Sequence, residues 1–471
     1  MVRKKRELQV YKEIEITDAG SEGKAIGRID DKVIFVPFVV PGDVIDIRVT
    51  KNRKSYLEGK AIRFHKYSKK RTEPRCEHFG ICGGCRWQSM KYEEQLFYKQ
   101  KQVKDKLTRI GNLDIPEILP VIPSKKTYYY RNKLEFTFSN KKWLTDYNKD
   151  IKFEELNMNG LGFHIPGMFD RVLDLNNCYL QEEPSNTIRL AVKRYADENK
   201  LEYYNVKKWL GFLRNLIIRN TQAGELMVIL VFNYEDKEKI TGLLDFIAEK
   251  FPEITSLMYV INQKKNDIFS DLEVNLYKGK PYIMEEMEGL KFKIGPVSFY
   301  QTNSLQAYEL YKIVREYAGL IGEEVVYDFY TGTGTIANYI ASKAQKVIGI
   351  DNVPSAIEDA IENSKINHIT NTLFYAGDIA KVLDDEFVRK NGMPDIIITD
   401  PPRAGMHEKV VRQILKINPE RIVYISCNPA TQARDVAILI EKYQIEKIQP
   451  VDMFPQTHHV ENVMLLRRIK S

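Results

Sequence analysis

The chain has 471 residues, of which 43% are hydrophobic and 29% are charged. This length exceeds what a single hydrophobic core accommodates, so several domains are expected. No apolar run approaches the ~20 residues that span a bilayer, and no apolar segment follows the basic N-terminus. A membrane-spanning or secreted protein is therefore not expected. In the cytoplasmic protein predicted instead, the five cysteines are metal ligands, catalytic groups or buried residues rather than disulfides.

The net charge of +7 is unevenly distributed along the chain. Residues 1–75 contain 19 Lys and Arg against 11 Asp and Glu, a balance of +8, so the other 396 residues sum to about −1. A basic segment on a near-neutral body favours a polyanionic partner, with a solvated basic tail as the alternative.

Residues 8–64 contain short strand patterns separated by turn residues, which predicts a small barrel of the oligonucleotide-binding kind. The predicted strands are Tyr11–Ile16, Lys24–Ile29, Val33–Phe38, Val44–Thr50 and Tyr56–Phe64. Cations cluster at the end of this segment, and they favour RNA binding over a generic barrel: Lys51, Arg53, Lys54, Lys66, Lys69, Lys70 and Arg71.

Three cysteines follow on a glycine-rich loop, Cys76, Cys82 and Cys85, and Cys178 lies 93 positions further along. Four thiolates in this pattern can hold Zn²⁺ or a [4Fe–4S] cluster, and the spacing alone does not decide between them.

A helix is predicted near 90–110, and residues 127–290 have an α+β pattern. Aromatic and cationic residues alternate around the cysteines, which suits either stacking on unpaired bases or core packing: Phe79, Arg86, Trp87, Tyr128, Tyr129, Tyr130, Arg131 and Lys133.

From about residue 292, apolar runs alternate with helical segments, which predicts a doubly wound parallel sheet. The first strand enters a Gly332-Thr-Gly334 turn, Asp351 ends the second strand, and Asp400-Pro-Pro-Arg follows the fourth. Glycines let the backbone approach a ligand closely, and an acid at the second strand accepts hydrogen bonds from ribose. The turn lacks the full Gly-x-Gly-x-x-Gly of a dehydrogenase, and the set resembles a class I S-adenosylmethionine (SAM)-dependent methyltransferase.

Cys427 ends the fifth apolar strand and precedes an Asn-Pro turn. C5 of a pyrimidine attacks a sulfonium methyl poorly unless a thiolate first adds to C6, and a base must later remove the C5 proton. Because the last strand of this fold runs antiparallel beside the fifth, Glu461 is predicted to lie opposite Cys427 as that base. His458 and His459 are competing candidates. A solvated carboxylate and a small buried thiol are the alternatives for Glu461 and Cys427.

Several motifs together resemble the RNA uracil-C5 methyltransferases that carry an iron–sulfur cluster. They are Ser-Phe-Tyr-Gln301-Thr-Asn, Asp-Phe-Tyr330-Thr-Gly-Thr-Gly, Asp400-Pro-Pro-Arg-Ala-Gly, Ser-Cys427-Asn-Pro and Phe-Pro-x-Thr-x-His-Val-Glu461. The likeness covers nearly the whole chain, since the N-terminal barrel is similar to that family's TRAM module. It implies that Cys427 is the nucleophile, that Glu461 is the base, and that the other four cysteines hold a [4Fe–4S] cluster. The SAM contacts that it implies are Gln301, Tyr330, Thr335, Asp351 and Asp400. Many members have Glu at the position of Asp351, so its reach toward the ribose is shorter by one methylene.

These observations predict an α/β protein of three parts. They are a TRAM/OB-like barrel at 1–67, a central iron–sulfur and RNA-binding domain at 68–92 and 125–290, and a Rossmann-like methyltransferase domain at 93–124 and 291–471. The expected reaction is SAM-dependent formation of 5-methyluridine in RNA, with 23S rRNA as the expected substrate and a tRNA uridine as the second candidate. The target base has to leave its stack to be reached. A cytosine target and a ribosome-assembly factor with an inert methyltransferase domain are further alternatives. A monomer is expected.

Overall fold

A computed structural model describes residues 9–145 and 156–470, so the basic residues at positions 3–6 lie outside the described chain. The N-terminal strands are β1 (Val10–Ala19), β2 (Lys24–Ile29), β3 (Lys32–Pro37), β4 (Val44–Asn52) and β5 (Tyr56–Lys66). They close into a barrel in the order β1-β2-β3-β5-β4, in which only β3 and β5 pair in parallel. The predicted five-strand barrel is confirmed. Strands β1, β4 and β5 extend beyond the predicted ends, and in β4 and β5 the added residues are exposed and polar, which hides the apolar alternation.

The barrel is tied to helix α1 (Tyr92–Arg109) by charged contacts. Arg71 donates to both carboxylate oxygens of the fully buried Asp43 at 2.8 Å, and Lys101 of α1 pairs with Asp18 of β1. Arg71, which the sequence placed among cations for RNA, is therefore engaged within the protein.

A second sheet occupies the middle of the chain. Its elements are β6 (Lys133–Ser139), β7 (Gly160–Ile165), β8 (Met168–Asp174), α2 (Ser185–Glu198), β9 (Leu213–Asn220), β10 (Leu226–Phe232), α3 (Lys237–Lys250), β11 (Ser256–Ile261) and β12 (Val274–Gly279). The strand order is β12-β11-β10-β9-β6-β7-β8. Helices α2 and α3 cover one face, and β10 is buried along its whole length because its other face is covered too.

The C-terminal region begins with a hairpin, β13 (Ile283–Met287) and β14 (Leu290–Ile294), and continues into a seven-stranded sheet. The elements of this region are α4 (Ser304–Ala318), β15 (Val325–Phe329), α5 (Thr335–Ala341), β16 (Lys346–Asp351), α6 (Pro354–Ile366), β17 (Thr372–Ala376), α7 (Ile379–Val382), α8 (Asp385–Asn391), β18 (Ile396–Thr399), α9 (Glu408–Ile417), β19 (Arg421–Ser426), α10 (Pro429–Leu439), β20 (Tyr443–Val451) and β21 (Glu461–Arg468). The strand order is β17-β16-β15-β18-β19-β21-β20, parallel from β17 to β19 and antiparallel at β21. The predicted doubly wound sheet is confirmed.

One hydrophobic core joins the two seven-stranded sheets. Met227 and Ile229 of the central sheet, Leu310 of α4 and Val326 of β15 belong to the same buried cluster, so α4 packs between the sheets. On the opposite face of the C-terminal sheet, α1 packs with α9 and α10 around Leu107. None of the helices in the described ranges is long and apolar enough to cross a membrane.

Candidate active site

The glycine turn between β15 and α5 has the backbone conformation that its sequence predicts. Tyr330, Gly332 and Gly334 have φ values of 60°, 55° and 72°, in the left-handed region that favours glycine. A Cβ at Gly334 would lie 2.8 Å from the Cβ of Ala360, so this position requires glycine for close packing. A Cβ at Gly332 would meet nothing within 4 Å, which leaves open space at the carboxyl edge of the sheet. Thr335 is the first residue of α5, and its hydroxyl lies 3.2 Å from that of Thr333.

Asp351, the last residue of β16, holds this turn in place. Its two carboxylate oxygens accept hydrogen bonds from the amides of Gly332 and Val353, each at 2.9 Å. The residue predicted to receive ribose hydroxyls therefore also orders the loop, and each oxygen keeps a further lone pair for a ligand.

Asp328 is a buried carboxylate beneath the turn. One oxygen accepts a 2.6 Å hydrogen bond from the Thr331 hydroxyl, whereas Oδ1 is buried with no partner among the described residues. Burial raises the pKa of Asp328 to about 7, opposed by the Thr331 bond and reinforced by the charge of Asp400. Asp328 thus keeps one acceptor unused beneath the turn, and the open space for a ligand lies at Gly332.

Cys427 and Glu461 meet across the β19–β21 pair. Ser426, the last residue of β19, pairs with Asn462, so Cys427 follows β19 at the same end where Glu461 begins β21. Glu461 is buried and Cys427 is half-buried. The structure thus brings the predicted thiol and carboxylate to one edge of the sheet, beside Asp400 at the end of β18.

The cleft around these groups is poorly solvated and rich in negative charge. Burial, followed by the charges of Glu461 and Asp400, raises the pKa of Cys427 to about 11. Burial raises the pKa of Glu461 to about 8, with a further contribution from Asp400, whose own pKa burial raises to about 7. The Arg403 cation acts in the opposite direction on both Cys427 and Glu461.

The two histidines that compete with Glu461 are poor bases in this environment. Burial and nearby positive charges together lower the pKa of His458 to about 3 and that of His459 to about 4. The largest of these charges is His459 for His458 and Arg403 for His459. Their rings lie 4.1 Å apart. Neutral imidazoles of such low basicity favour Glu461 as the group that removes a carbon-bound proton.

The loop that carries Arg403 is held by α10. Asn428, which caps α10, donates to the Arg403 carbonyl at 3.1 Å. Buried Asp435 accepts from the Met406 amide at 2.8 Å and from the Tyr424 hydroxyl at 2.6 Å. Sequence reasoning missed Asp435, because no local motif marks a helical acid whose partners lie in other elements.

Gln301 lies in the segment before α4. It is half-buried, and its carbonyl accepts a 2.9 Å hydrogen bond from Asn132, the residue before β6. Asn303 caps α4 and donates to the Met453 carbonyl at 2.9 Å. These contacts fix the Gln301 segment against both the central sheet and the region that leads into β21.

The four remaining cysteines line a cavity of about 640 Å³ between the glycine-rich loop and the region after β8. His78 joins the two walls, since its Nε2 accepts the Asn176 amide at 3.0 Å. Burial raises the pKa of all four thiols, to about 12 for Cys85 and about 11 for Cys178. In the described parts of the chain, no group of three or more His, Cys, Asp or Glu converges closely enough for a single metal ion.

The aromatic residues near this cavity divide into two groups. Trp87 and Tyr130 are buried, and the Tyr130 hydroxyl donates to the Pro455 carbonyl at 3.0 Å, so core packing is the correct interpretation for both. Tyr128 and Tyr129 are half-buried and lie against exposed Arg75, whose guanidinium carbon is 5.3 Å and 5.0 Å from their ring centroids.

Known proteins are similar to this chain along most of its length. A family model for tRNA (Uracil-5-)-methyltransferase matches residues 281–469, and a TRAM domain model matches residues 5–62. A protein of Bacteroides thetaiotaomicron named "Uncharacterized RNA methyltransferase" is 57% identical over 451 residues, which cover 95% of this chain and 99% of the relative. One of the same name from Porphyromonas gingivalis is 53% identical over 468 residues, covering 97% and 99%.

The likeness extends to a solved structure, that of Pyrococcus abyssi tRNA (uracil-54, C5)-methyltransferase in complex with S-adenosyl-L-homocysteine. It is 30% identical to this chain and superposes with a TM-score of 0.74, covering 96% of this chain and 100% of the other. The present chain belongs to the RNA (uracil-5-)-methyltransferase family and is a SAM-dependent RNA methyltransferase with an N-terminal TRAM domain.

Proposed function

We propose that this enzyme methylates C5 of a uridine through a covalent bond between Cys427 and C6 of the base. The observation that supports the proposal is the register of β19 and β21, whose last pair is Ser426–Asn462, next to Cys427 on one strand and to Glu461 on the other. A thiol and a carboxylate so placed can act on one pyrimidine ring held between them.

The reaction follows from the two side chains. SAM, when bound, supplies an electrophilic methyl group on a positively charged sulfur. The Cys427 thiolate adds to C6, and the electrons of the C5–C6 double bond move into an enolate. C5 then takes the methyl group, leaving S-adenosylhomocysteine. Glu461 removes the C5 proton, the double bond re-forms, and the thiolate is expelled.

Arg403 and Glu461 prepare the cleft for these steps. The Arg403 cation favours the thiolate form of Cys427, against the burial that disfavours it. Because burial raises the pKa of Glu461 to about 8, its carboxylate is a stronger base than an exposed one once it is deprotonated. We propose that Asp328, Tyr330, Thr335, Asp351 and Asp400 form the SAM side of the cleft, with Gln301 from the neighbouring segment.

We propose a [4Fe–4S] cluster in the cysteine cavity, held by Cys76, Cys82, Cys85 and Cys178. The four unpaired thiols line one cavity, and the resemblance of the motifs to the cluster-carrying family favours a cluster over a single Zn²⁺ ion. Its role is structural, since the cavity wall also contacts the segment that leads to β21. The proposed division into parts is the barrel at 1–67, the central domain at 68–92 and 125–290, and the methyltransferase domain at 93–124 and 291–471.

Two RNAs are candidates for the substrate. We propose 23S rRNA first, on the combination of barrel and cysteine cavity. A tRNA is the second candidate, because the Pyrococcus abyssi relative is named for position 54 of tRNA. Nucleoside mass spectrometry of rRNA and tRNA from a deletion strain decides between them: the fraction that loses 5-methyluridine contains the substrate.

Trapping tests the covalent step. RNA with 5-fluorouridine at the target should form a SAM-dependent adduct that survives denaturation, because fluorine cannot be removed as a proton can. Cys427→Ala should form none, whereas the matched variant Glu461→Gln should still form it. An adduct that persists in Cys427→Ala would refute the proposed nucleophile.

A further inference from the structure

A second surface with aromatic rings and cations lies outside the active site. It consists of Phe169, Trp209, Lys207, Lys208 and Lys265, called here the Trp209 surface. Phe169 is 66% exposed and Trp209 is 47% exposed. Lys265 Nζ lies 3.9 Å from the centroid of the Trp209 ring, and Lys207 Nζ lies 5.7 Å from that of Phe169. Trp209 thus remains nearly half exposed even with a lysine against its ring.

The turn that presents Trp209 is strained and well held. Trp209 has a φ of 55°, a conformation that costs free energy for a bulky side chain. Its amide donates to the Asn205 carbonyl at 2.7 Å, and the Asn205 amide donates to the Leu210 carbonyl at 2.7 Å. The Asn205 side chain accepts from the amides of Lys207 and Lys208 at 3.2 Å and 3.1 Å. The turn is rigid and accepts backbone strain at Trp209 while the indole stays exposed. This indicates that the exposed indole has a function.

The charges of this surface are only partly neutralised. Lys207 pairs with Asp170 at 2.6 Å. Lys208 and Lys265 have no carboxylate within 4.0 Å among the described residues. The net positive charge therefore complements a polyanion.

The Trp209 surface and the Gln301 segment lie at opposite ends of β9. Asn132 donates to the Thr302 carbonyl at 2.8 Å and accepts the Asn220 amide at 2.9 Å, so the far end of β9 adjoins the Gln301 segment. The Trp209 turn precedes the near end of β9. At ~3.3 Å per residue, β9 separates the Trp209 turn from the Gln301 segment by roughly 23 Å.

We propose that the Trp209 surface binds a single-stranded segment of RNA other than the target nucleotide. Bases stack on Trp209 and Phe169, and Lys207, Lys208 and Lys265 contact phosphates. The proposal rests on the RNA methyltransferase function of the chain and is independent of the covalent chemistry at Cys427. Contacts roughly 23 Å from the Gln301 segment, which we place on the SAM side of the cleft, give the enzyme a means to select RNAs by an element away from the methylated base.

Tryptophan fluorescence tests this directly. The chain has three tryptophans, of which Trp87 is 3% exposed and Trp143 is half-buried, so Trp209 is the accessible one. Titration with twelve-nucleotide oligoadenylate should quench the emission of the wild type. Trp209→Phe should abolish the quenching and retain affinity, while Trp209→Ala should raise Kd about 5- to 100-fold, the loss expected for one base stack. Ile321→Ala, at a residue 79% exposed, is the matched surface control and should leave Kd unchanged.

Cys427→Ala should retain both quenching and affinity, so the surface and the catalytic mechanism can fail separately. Absence of quenching in the wild type, together with an unchanged Kd in Trp209→Ala, would overturn the proposal and would favour a protein as the partner of this surface. Thermal unfolding of both Trp209 variants checks that they fold, and Phe169→Ala gives an independent reading, with an expected rise in Kd of similar size.

Discussion

At the scale of single residues, burial around Cys427 opposes the form of the thiol that reacts. Its pKa is raised to about 11 by burial and by the neighbouring carboxylates, with Arg403 as the opposing charge. Glu461 is also held toward its neutral form, with a pKa of about 8. The free enzyme at neutral pH therefore carries both groups mostly protonated, although both act deprotonated.

The first prediction concerns pH. Because Cys427 and Glu461 both have raised pKa values and act without their protons, kcat/KM should rise steadily from pH 6 to pH 9. Arg403→Gln should lower kcat/KM at pH 7 more than at pH 9, since the lost cation also raises the pKa of Glu461, which is mostly deprotonated at pH 9 but not at pH 7, whereas the Cys427 thiol is protonated at both. Methyl incorporation at constant ionic strength measures both, and a flat profile in the wild type would contradict the assignment.

A second prediction separates the two halves of the reaction. Glu461→Gln should still add to uridine and accept the methyl group, but it cannot remove the C5 proton. Ordinary RNA should then accumulate as a methylated covalent adduct, visible on a denaturing gel, while release of 5-methyluridine falls by 10²-fold or more on the scale of general base catalysis. Normal turnover in this variant would show that another residue acts as the base.

Asp328 gives a stability prediction. Its folded pKa of about 7 lies above the ordinary value of 3.8, so its contribution to stability is present below about pH 4 and is lost as the pH rises through 7. Asp328→Asn should therefore raise the melting temperature at pH 8 but not at pH 4, and should weaken SAM binding. Differential scanning calorimetry at the two pH values measures the effect, and an equal gain at both would show that ionisation is not the cause.

At the scale of elements, the segment before β21 is held from outside the methyltransferase sheet. Lys99 of α1 donates to Asp452 at 2.5 Å, and both side chains are fully buried. Gln456 exchanges hydrogen bonds with Gln95 at 2.9 Å and 3.0 Å, and its carbonyl accepts the amides of Arg86 and Trp87 at 3.0 Å. The cysteine loop and α1 together therefore position the start of the strand that carries Glu461.

The Lys99–Asp452 pair yields a fourth prediction. Lys99→Met leaves a carboxylate buried without its partner and should lower the free energy of unfolding by about 3–5 kcal/mol. The double variant Lys99→Met/Asp452→Asn should recover part of this loss. Lys416→Met, which removes an exposed pair with Asp385, is the control and should change little. Urea unfolding measures all three, and equal losses in the single and double variants would contradict the argument.

Strand order made part of this site predictable and left part of it hidden. The Gly332 turn, Asp351 and Cys427 follow from apolar strands in a known order, because parallel strands present their carboxyl ends at one edge. Glu461 was predictable at that edge because the last strand is antiparallel and begins there. The Lys99–Asp452 pair spans 353 positions, and no local pattern shows it. Local pattern also could not separate buried Trp87 from exposed Trp209, since exposure depends on which elements come to cover a side chain.

At the scale of the whole molecule, the excess positive charge of residues 1–75 is only partly available to RNA. Arg71 and Lys70 are paired with Asp43 and Glu94 at 2.8 Å and 2.9 Å. Lys66 and Lys69 are exposed and appear in no such pair among the described residues. The barrel and its junction with α1 thus separate cations that hold the fold from cations that face solvent.

The fifth prediction follows from this separation. Lys66→Gln and Lys69→Gln should each weaken RNA binding and reduce the slope of log Kd against log salt concentration by up to about one, as expected for phosphate contacts. Arg71→Gln should instead lower the melting temperature, because it leaves Asp43 buried and unpaired. Filter binding at several salt concentrations measures the slopes, and unchanged slopes in both lysine variants would place the phosphate contacts elsewhere.

The core shared by the two seven-stranded sheets has a mechanical consequence. Helix α4 packs between the two sheets, and Met227, Leu310 and Val326 belong to a single buried cluster. Moving the sheets apart in a hinge motion would therefore break this shared hydrophobic core. Most of the deformation needed for catalysis then falls on the nucleic acid, whose target base must unstack and swing into a cleft that is already formed. The rate should accordingly vary with the local pairing strength of the RNA far more than with solvent viscosity, which slows the motion of large protein lobes.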